Sequence, residues 1–304
     1  MWMQWLPTDA LQTFVTGGYY TIEQSHSKLR IVVLNSVLWA GGAQRHDGEH
    51  SGEEQWRWLI EVLSKARKKN ERVYIVAHAG PGVEERHGAG DAASTGGGEL
   101  SPSANGRFVH LIQSFSDVIA GQFYGHRHAD TFRLMYYKGR PISWAFLAPS
   151  VTPRGAGGLS NPGLRLYKFD SKSGKVLDYT QYYLDISNPR AEARWAIEYN
   201  LTQYYGLREV SPTSLDVLAE RIRAPYDHGA FAKYLTALRV RHSPDISDCD
   251  TACVHVHFCA ITRPDYDDFR LCVRNPASAL ASHAPHHCPI IAVLLYVFLL
   301  GLIS

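Results

Sequence analysis

No cysteine occurs in the first 248 of the 304 residues, so no disulfide framework can hold the body of the chain. That body must rest on an apolar core, for which the length is ample. Charge of one sign is lacking as well: 31 Lys and Arg stand against 29 Asp and Glu, a net charge of +2. No basic run has the length of a nucleic-acid arm, and a nucleic-acid polymer is not an expected partner. No apolar stretch reaches the ~18 residues of a membrane-spanning helix. Residues 1–14 (MWMQWLPTDALQTF) lack the basic-then-apolar order of a secretory signal peptide. With 45% apolar and 20% charged residues, the chain is neither disordered nor fibrous. At ~150 residues per domain, the length suggests about two domains.

What the body lacks, the end has in excess. Cys249, Cys253, Cys259 and Cys272 crowd into 24 residues, with Cys288 further on. Such a cluster reads as a local disulfide module formed in an oxidising compartment. The rival is zinc: Cys253, His255, His257 and Cys259 alternate and would share one face of a strand. The sequon Asn200-Leu201-Thr202 is a candidate glycosylation site and adds weak support for secretion. Residues 290–303 (IIAVLLYVFLLGLI) are 14 uncharged, mostly apolar positions, about 21 Å as a helix and short of a ~30 Å hydrocarbon core. Ala277-Ser278-Ala279, then the nine-residue spacer LASHAPHHC, precede that tail. Small triplet, spacer and short apolar tail form the pattern of a GPI signal, with attachment at Ala277 or Ser278. A short tail anchor and a core helix are the other readings. An anchor without a leader sequence implies that the chain is the C-terminal part of a longer secreted protein.

The periodicity predicts buried strands over 29–35 and 72–78, a helix over 53–69, a short helix over 108–115 and a strand over 117–124. Strand, helix, strand, helix, strand argues an α/β sheet. Residues 80–105, rich in Gly, Ser and Ala, are expected to be a disordered loop. Strands over 132–137, 142–148, 164–169 and 176–184 read as antiparallel hairpins on the sheet edge. Helices are expected over 192–202, 211–223 and 230–240, a second domain that ends in the cysteine module.

Three of the 15 histidines stand out. His78 ends one predicted strand, and His126 and His128 follow another. Ligand sites in α/β sheets form beyond the carboxyl ends of strands, and neutral imidazole suits zinc and similar cations. A single histidine there is commonly just hydrogen-bonded, but the three together point to a metal site. They do not by themselves fix the reaction.

The residues around them carry a resemblance. GHRHAD at 125–130 resembles the GHTHxD motif of calcineurin-like metallophosphoesterases, and AHAGPG at 77–82 is similar to their AHxPPG. GGYY at 17–20, LRIVVLN at 29–35, SDVIAGQFYGHRH at 116–128, APSVTP at 148–153 and NPGLRLY at 161–167 resemble the acid sphingomyelinase family, over residues 6 to 275. The tail points to its GPI-anchored, b-type branch. The resemblance implies an α/β sandwich of mixed β-sheets flanked by helices over 1–186 and a helical, disulfide-bonded domain over 187–276. Residues 277–304 would be the GPI signal. It also implies bridges Cys249–Cys253 and Cys259–Cys272, and two zinc ions. His78 and His126 would bind one ion and His128 the other, with Asp130 orienting a ligand from behind. Two such ions ~3.5–4 Å apart activate water and stabilise the charge developing on a phosphodiester or pyrophosphate. The substrate would be a small phosphodiester or a lipid, and the setting the cell surface.

The family's remaining motifs are an upstream D-x-H, a G-D with the bridging Asp, and a G-N-H with the catalytic His. This sequence has neither D-x-H nor G-N-H, and its single Gly-Asp, Gly90-Asp91, falls after His78. No catalytic residue of that set is present, and impaired activity is expected. The rival from another class is a non-catalytic, membrane-tethered binding protein that keeps the fold.

Overall fold

The computed structural model describes residues 4–24, 27–41, 52–84, 98–155, 158–187, 192, 194–224, 227–242 and 249–275. Helix α1 (Thr8–Gly17) leads into a six-stranded sheet of order β1-β2-β3-β4-β6-β5. Its strands are β1 (Tyr20–Glu23), β2 (Leu29–Leu34), β3 (Arg72–Ala77), β4 (Ile119–Tyr124), β5 (Thr131–Tyr137) and β6 (Arg140–Leu147). The four central strands, β2, β3, β4 and β6, run parallel; β1 and β5 close the edges antiparallel. Parallel strands are covered on both faces, which is why LRIVVL and RVYIVA are continuous apolar runs.

One face meets α2 (Gly52–Lys68) and α3 (Pro102–Ser114). Val73, Ile75, Ala145 and Leu147 pack there with Trp56, Leu59, Leu63, Phe108 and Ile112. Acidic Glu53 and Glu54 open α2, and Lys65, Arg67 and Lys68 close it, both in the sense the helix dipole favours. Helix α3 is longer than the short helix expected over 108–115. Ser101 caps it by accepting from the Ala104 N–H at 3.3 Å, and Pro102 takes the first turn, where its missing N–H costs nothing. The rest of the loop expected to be disordered lies largely outside the described residues.

Alternate residues of the same strands face the other way. Tyr74, Phe123, Trp144 and Phe146 meet a second sheet made of β9 (Gly163–Phe169), β10 (Val176–Leu184) and β11 (Trp195–Asn200); a small ribbon, β7 (Arg154–Gly155) and β8 (Gly158–Leu159), precedes it. Ring centroids of Phe146 and Tyr179 lie 5.3 Å apart, and those of Phe123 and Tyr167 4.8 Å apart. The molecule is thus an α/β sandwich of a mixed and an antiparallel sheet. Two expectations are corrected here. Strands β9 and β10 do not extend the edge of the first sheet, since they pair with each other and with β11. The helix expected over 192–202 is mostly strand: β11 pairs with β10 and buries Tyr199, and only the single turn α4 (Leu201–Tyr205) is helical. Cross-strand pairing overrides the helical preference of its Ala and Glu.

Helices α5 (Pro212–Arg223), α6 (His228–Leu238), α7 (Thr251–Thr262) and α8 (Tyr266–Arg274) complete this side. Its apolar core takes Leu134 and Trp144 from before residue 187 and Tyr199, Leu218 and Phe258 from after it. Cys249 is bonded to Cys253 and Cys259 to Cys272. The zinc reading of Cys253, His255, His257 and Cys259 is corrected, because α7 is a helix and residues two apart point to opposite sides. Residues 277–304, which carry the GPI pattern, lie outside the described residues. No described helix is long and apolar enough to cross a membrane.

Phe146 is 1% exposed between the two sheets. Phe146→Ala is expected to lower stability by about 3–5 kcal/mol, the cost of a large cavity. A denaturant midpoint that does not move would show that the two faces are not joined there.

Candidate metal centre

Strands β3 and β4 are parallel neighbours, so their carboxyl ends lie side by side. His78 directly follows β3, and Gly125-His126-Arg127-His128 follows β4. The Gly125 N–H donates to the His78 carbonyl at 3.0 Å, which locks the two strand ends together. His126 and His128 both adopt positive φ, 66° and 53°, a left-handed conformation that few side chains take. The turn brings Nδ1 of His126 to 2.8 Å from Nε2 of His78, while Arg127 between the histidines turns inward and donates to the Gly82 carbonyl at 2.6 Å.

The AHAGPG segment is held as firmly. The Ala79 N–H donates to Ser36 Oγ at the end of β2, and the Gly82 N–H donates to Asn105 Oδ1 of α3, each at 3.0 Å. Gly80 must be glycine: a Cβ there would stand 2.6 Å from the Tyr124 ring. Gly82 has φ of 102°, the region open to glycine.

Burial, with the neighbouring His126 and His128, lowers the His78 pKa below its ordinary 6.5 and so favours the neutral ring, the form that binds a cation. Two imidazoles on one tetrahedral zinc, with Zn–N ~2.0–2.1 Å, would have their nitrogens ~3.3 Å apart. The 2.8 Å pair needs only a small opening to reach that. His128 is close enough to His78 to affect its charge. His78 and His126 therefore fit one two-histidine half of a centre.

Sequence reading missed Glu99. Its Oε1 lies 2.9 Å from Nε2 of His126, on the ring edge away from His78. A carboxylate behind a metal-binding histidine fixes its tautomer and ring orientation. No spacing could have found it, because a long intervening segment separates it from His78.

Asp130 is 4% exposed and ion-pairs with Arg165 of β9, while Tyr199 and Tyr179 donate to its two oxygens. Arg165 lies 3.9 Å over the Tyr179 ring and donates to Gln181 Oε1 at 2.9 Å. Asn161, from the same NPGLRLY segment, donates to the Val240 carbonyl after α6 and accepts from the Ile186 N–H. Asn200, the candidate glycosylation site, is part-buried and donates to Thr180 Oγ1 at 2.8 Å.

Residues 140–279 match the acid sphingomyelin phosphodiesterase C-terminal region. The cyclic GMP-AMP phosphodiesterase SMPDL3A of Bos taurus is 34% identical over 282 residues, covering 90% of this chain and 61% of that protein. The acid sphingomyelinase-like phosphodiesterase 3b of Homo sapiens is 31% identical over 285 residues, 90% and 60% of the two chains. Over nine tenths of its length the chain is similar to the acid sphingomyelinase-like phosphodiesterases. The sphingomyelin phosphodiesterase of Bos taurus is 29% identical over 297 residues, 93% of this chain and 42% of that protein. The chain thus spans about three fifths of the length of its sphingomyelinase-like relatives, 61% of SMPDL3A and 60% of 3b. Three of the motifs through which it resembles the family sit at strand ends: AHAGPG after β3, GHRHAD after β4, and NPGLRLY at the start of β9.

Two outcomes follow. Asp130→Asn would leave Arg165 buried without a counter-charge, and an unfolding free energy lower by about 3–5 kcal/mol is expected; Arg165→Leu combined with Asp130→Leu should recover part of the loss in the same denaturant series. Glu198 of β11 behaves differently. Burial, with repulsion from Asp130, pushes its carboxyl up to about 9, and its Oε2 accepts no described hydrogen bond. The folded state holds a proton that the unfolded state releases above 4.5, so Glu198 subtracts stability as pH rises from about 4.5 to about 9. Thermal midpoints of Glu198→Gln should decline less across that window than those of the parent chain.

Proposed function

We propose that this chain is the C-terminal part of a metal-dependent phosphodiesterase that hydrolyses phosphodiester or pyrophosphate bonds in nucleotides or lipids. The observation that carries the reading is the meeting of His78 Nε2 and His126 Nδ1 at 2.8 Å, at the carboxyl ends of adjacent parallel strands. The relatives' names, cyclic GMP-AMP phosphodiesterase and sphingomyelin phosphodiesterase, mark the substrate classes. Zinc fits the imidazole donors. His78 and His126 would hold one ion, and Glu99 would keep the proton on His126 Nε2 so that Nδ1 stays free to bind. His128 would face the second. Such ions, when bound, offset the charge that develops on the phosphoryl oxygens. Asp130 acts on this site through the backbone: its bond to Arg165 fixes where the chain leaves His128.

The bridging carboxylate, the Asn ligand and the catalytic His of the family have no counterpart in this sequence. That absence supports impaired catalysis in the 304-residue chain, and it also favours the second reading, a binding protein that keeps the fold. A longer form of the protein that encodes D-x-H, G-D and G-N-H in order would decide for the enzyme. The chain by itself should bind zinc weakly and turn over bis(4-nitrophenyl) phosphate no faster than its His126→Ala variant. Zinc affinity from isothermal titration should fall about 10–100-fold in Glu99→Ala, as for other residues that orient a ligand. Vigorous zinc-dependent turnover, lost in His128→Ala, would overturn the impaired reading.

The same reading places the protein at the cell surface, glycosylated at Asn200 and carried by a GPI anchor at Ala277 or Ser278. With a functional signal peptide added, phosphatidylinositol-specific phospholipase C should release it from cells. Retention, with residues 290–303 recovered by mass spectrometry, would instead mark the tail as an inserted helix.

A further inference from the structure

Two clusters of metal-binding side chains lie on α7, away from the strand ends. The donor atoms of Cys249, Cys253 and His257 fall within 4.8 Å of one another, and so do those of His255, Cys259 and Cys272. Helix geometry makes this arrangement. Cys253 and His257 are four residues apart on one side of α7, and His255 and Cys259 are four apart on the other. Cys249, just before α7, completes the first cluster, and Cys272 of α8 completes the second. Each cluster thus consists of one disulfide with one imidazole beside it.

We propose that each cluster is a redox-gated Cys2His metal site. Oxidised, it is a structural disulfide. Reduced, it takes one thiophilic divalent ion of the zinc type, with a fourth position left open. Thiolate and imidazole donors at zinc, with bonds of ~2.3 and ~2.0–2.1 Å, lie about 3.3–3.8 Å apart, inside the 4.8 Å within which these donors already fall. Cys253 is the third residue of α7, where the helix dipole favours a thiolate. Each imidazole has a partner in the oxidised state. The Tyr234 hydroxyl stands 3.4 Å from Nδ1 of His257. Nε2 of His255 lies 2.9 Å from the Cys272 carbonyl, to which it donates, and 3.4 Å from Cys259 Sγ, so ligation there moves the proton to Nδ1 and exchanges that hydrogen bond for the bond to the ion. The chemistry balances. A trialkylphosphine and water supply two electrons and two protons to each disulfide and leave as the phosphine oxide. Each pair of thiols then releases two protons as the divalent ion binds. At the second cluster the ion would replace the disulfide as the link that ties α8 to α7, and so would keep this corner closed under reducing conditions.

The test uses the full chain, reduced with a trialkylphosphine, freed of reductant without air and titrated with cobalt(II). A thiolate-to-cobalt charge-transfer band should grow and saturate at two equivalents, and the oxidised chain should show none. His255→Ala and His257→Ala should each halve the saturating amount. Cys259→Ser with Cys272→Ser should leave one equivalent. Cobalt on His78 and His126 gives no thiolate band, so the readout is independent of the strand-end centre. A reduced chain with no band overturns the proposal, whether or not reduction unfolds it. A band unchanged in either histidine variant overturns it as well.

Discussion

The ion pair between Asp130 and Arg165 is the constraint on which the rest depends. Both groups are buried where water cannot solvate them, so the pair survives only because every partner is in place. Tyr179 and Tyr199 donate to the carboxylate, and the guanidinium lies over the Tyr179 ring. These partners come from three strands of the second sheet, whereas Asp130 belongs to the turn that carries His126 and His128. Register makes the arrangement possible: Gln181 pairs with Arg165 on one side and with Tyr199 on the other, so the inward side chains stand in a row. One charged contact therefore couples the packing of the two sheets to the position of the histidine turn.

The histidines sit in a conformation that would not persist alone. Positive φ at His126 and His128 is costly, and such backbone is kept only where its surroundings over-determine it. Arg127 supplies one restraint by reaching the Gly82 carbonyl, and the Gly125 N–H supplies another at the His78 carbonyl. Arg133 adds a third from β5 by donating to the Val83 carbonyl at 3.0 Å. The loops after β3 and β4 are thus bonded to each other and to the sheet beneath. Two imidazole nitrogens are brought face to face, with the Glu99 carboxylate behind one of them.

Much of this was readable from the chain. The β-branched runs of β2, β3 and β4 alternate with the amphipathic stripe of α2, and a parallel sheet is the simple way to bury both. His78 and the His126–His128 pair were located because a strand end next to glycine is a recognisable place for a ligand. The misreadings have physical causes. The strand Trp195–Asn200 has the composition of a helix and owes its extended form to pairing with β10. Cysteine and histidine alternation over 253–259 looks like a strand in one dimension, and α7 turns the same residues onto two sides.

By itself the sequence determined the layered α/β architecture, the family resemblance and the two strand ends that carry histidine. These follow from local periodicity and from residues adjacent in the chain, which is all that a linear reading senses. Tertiary structure alone decided that Asp130 would spend its charge on Arg165, that Glu99 would stand behind His126, and that each disulfide would lie beside an imidazole. Those contacts join residues that only folding brings together, and the buried pair joins them in a medium where an unpaired charge could not remain.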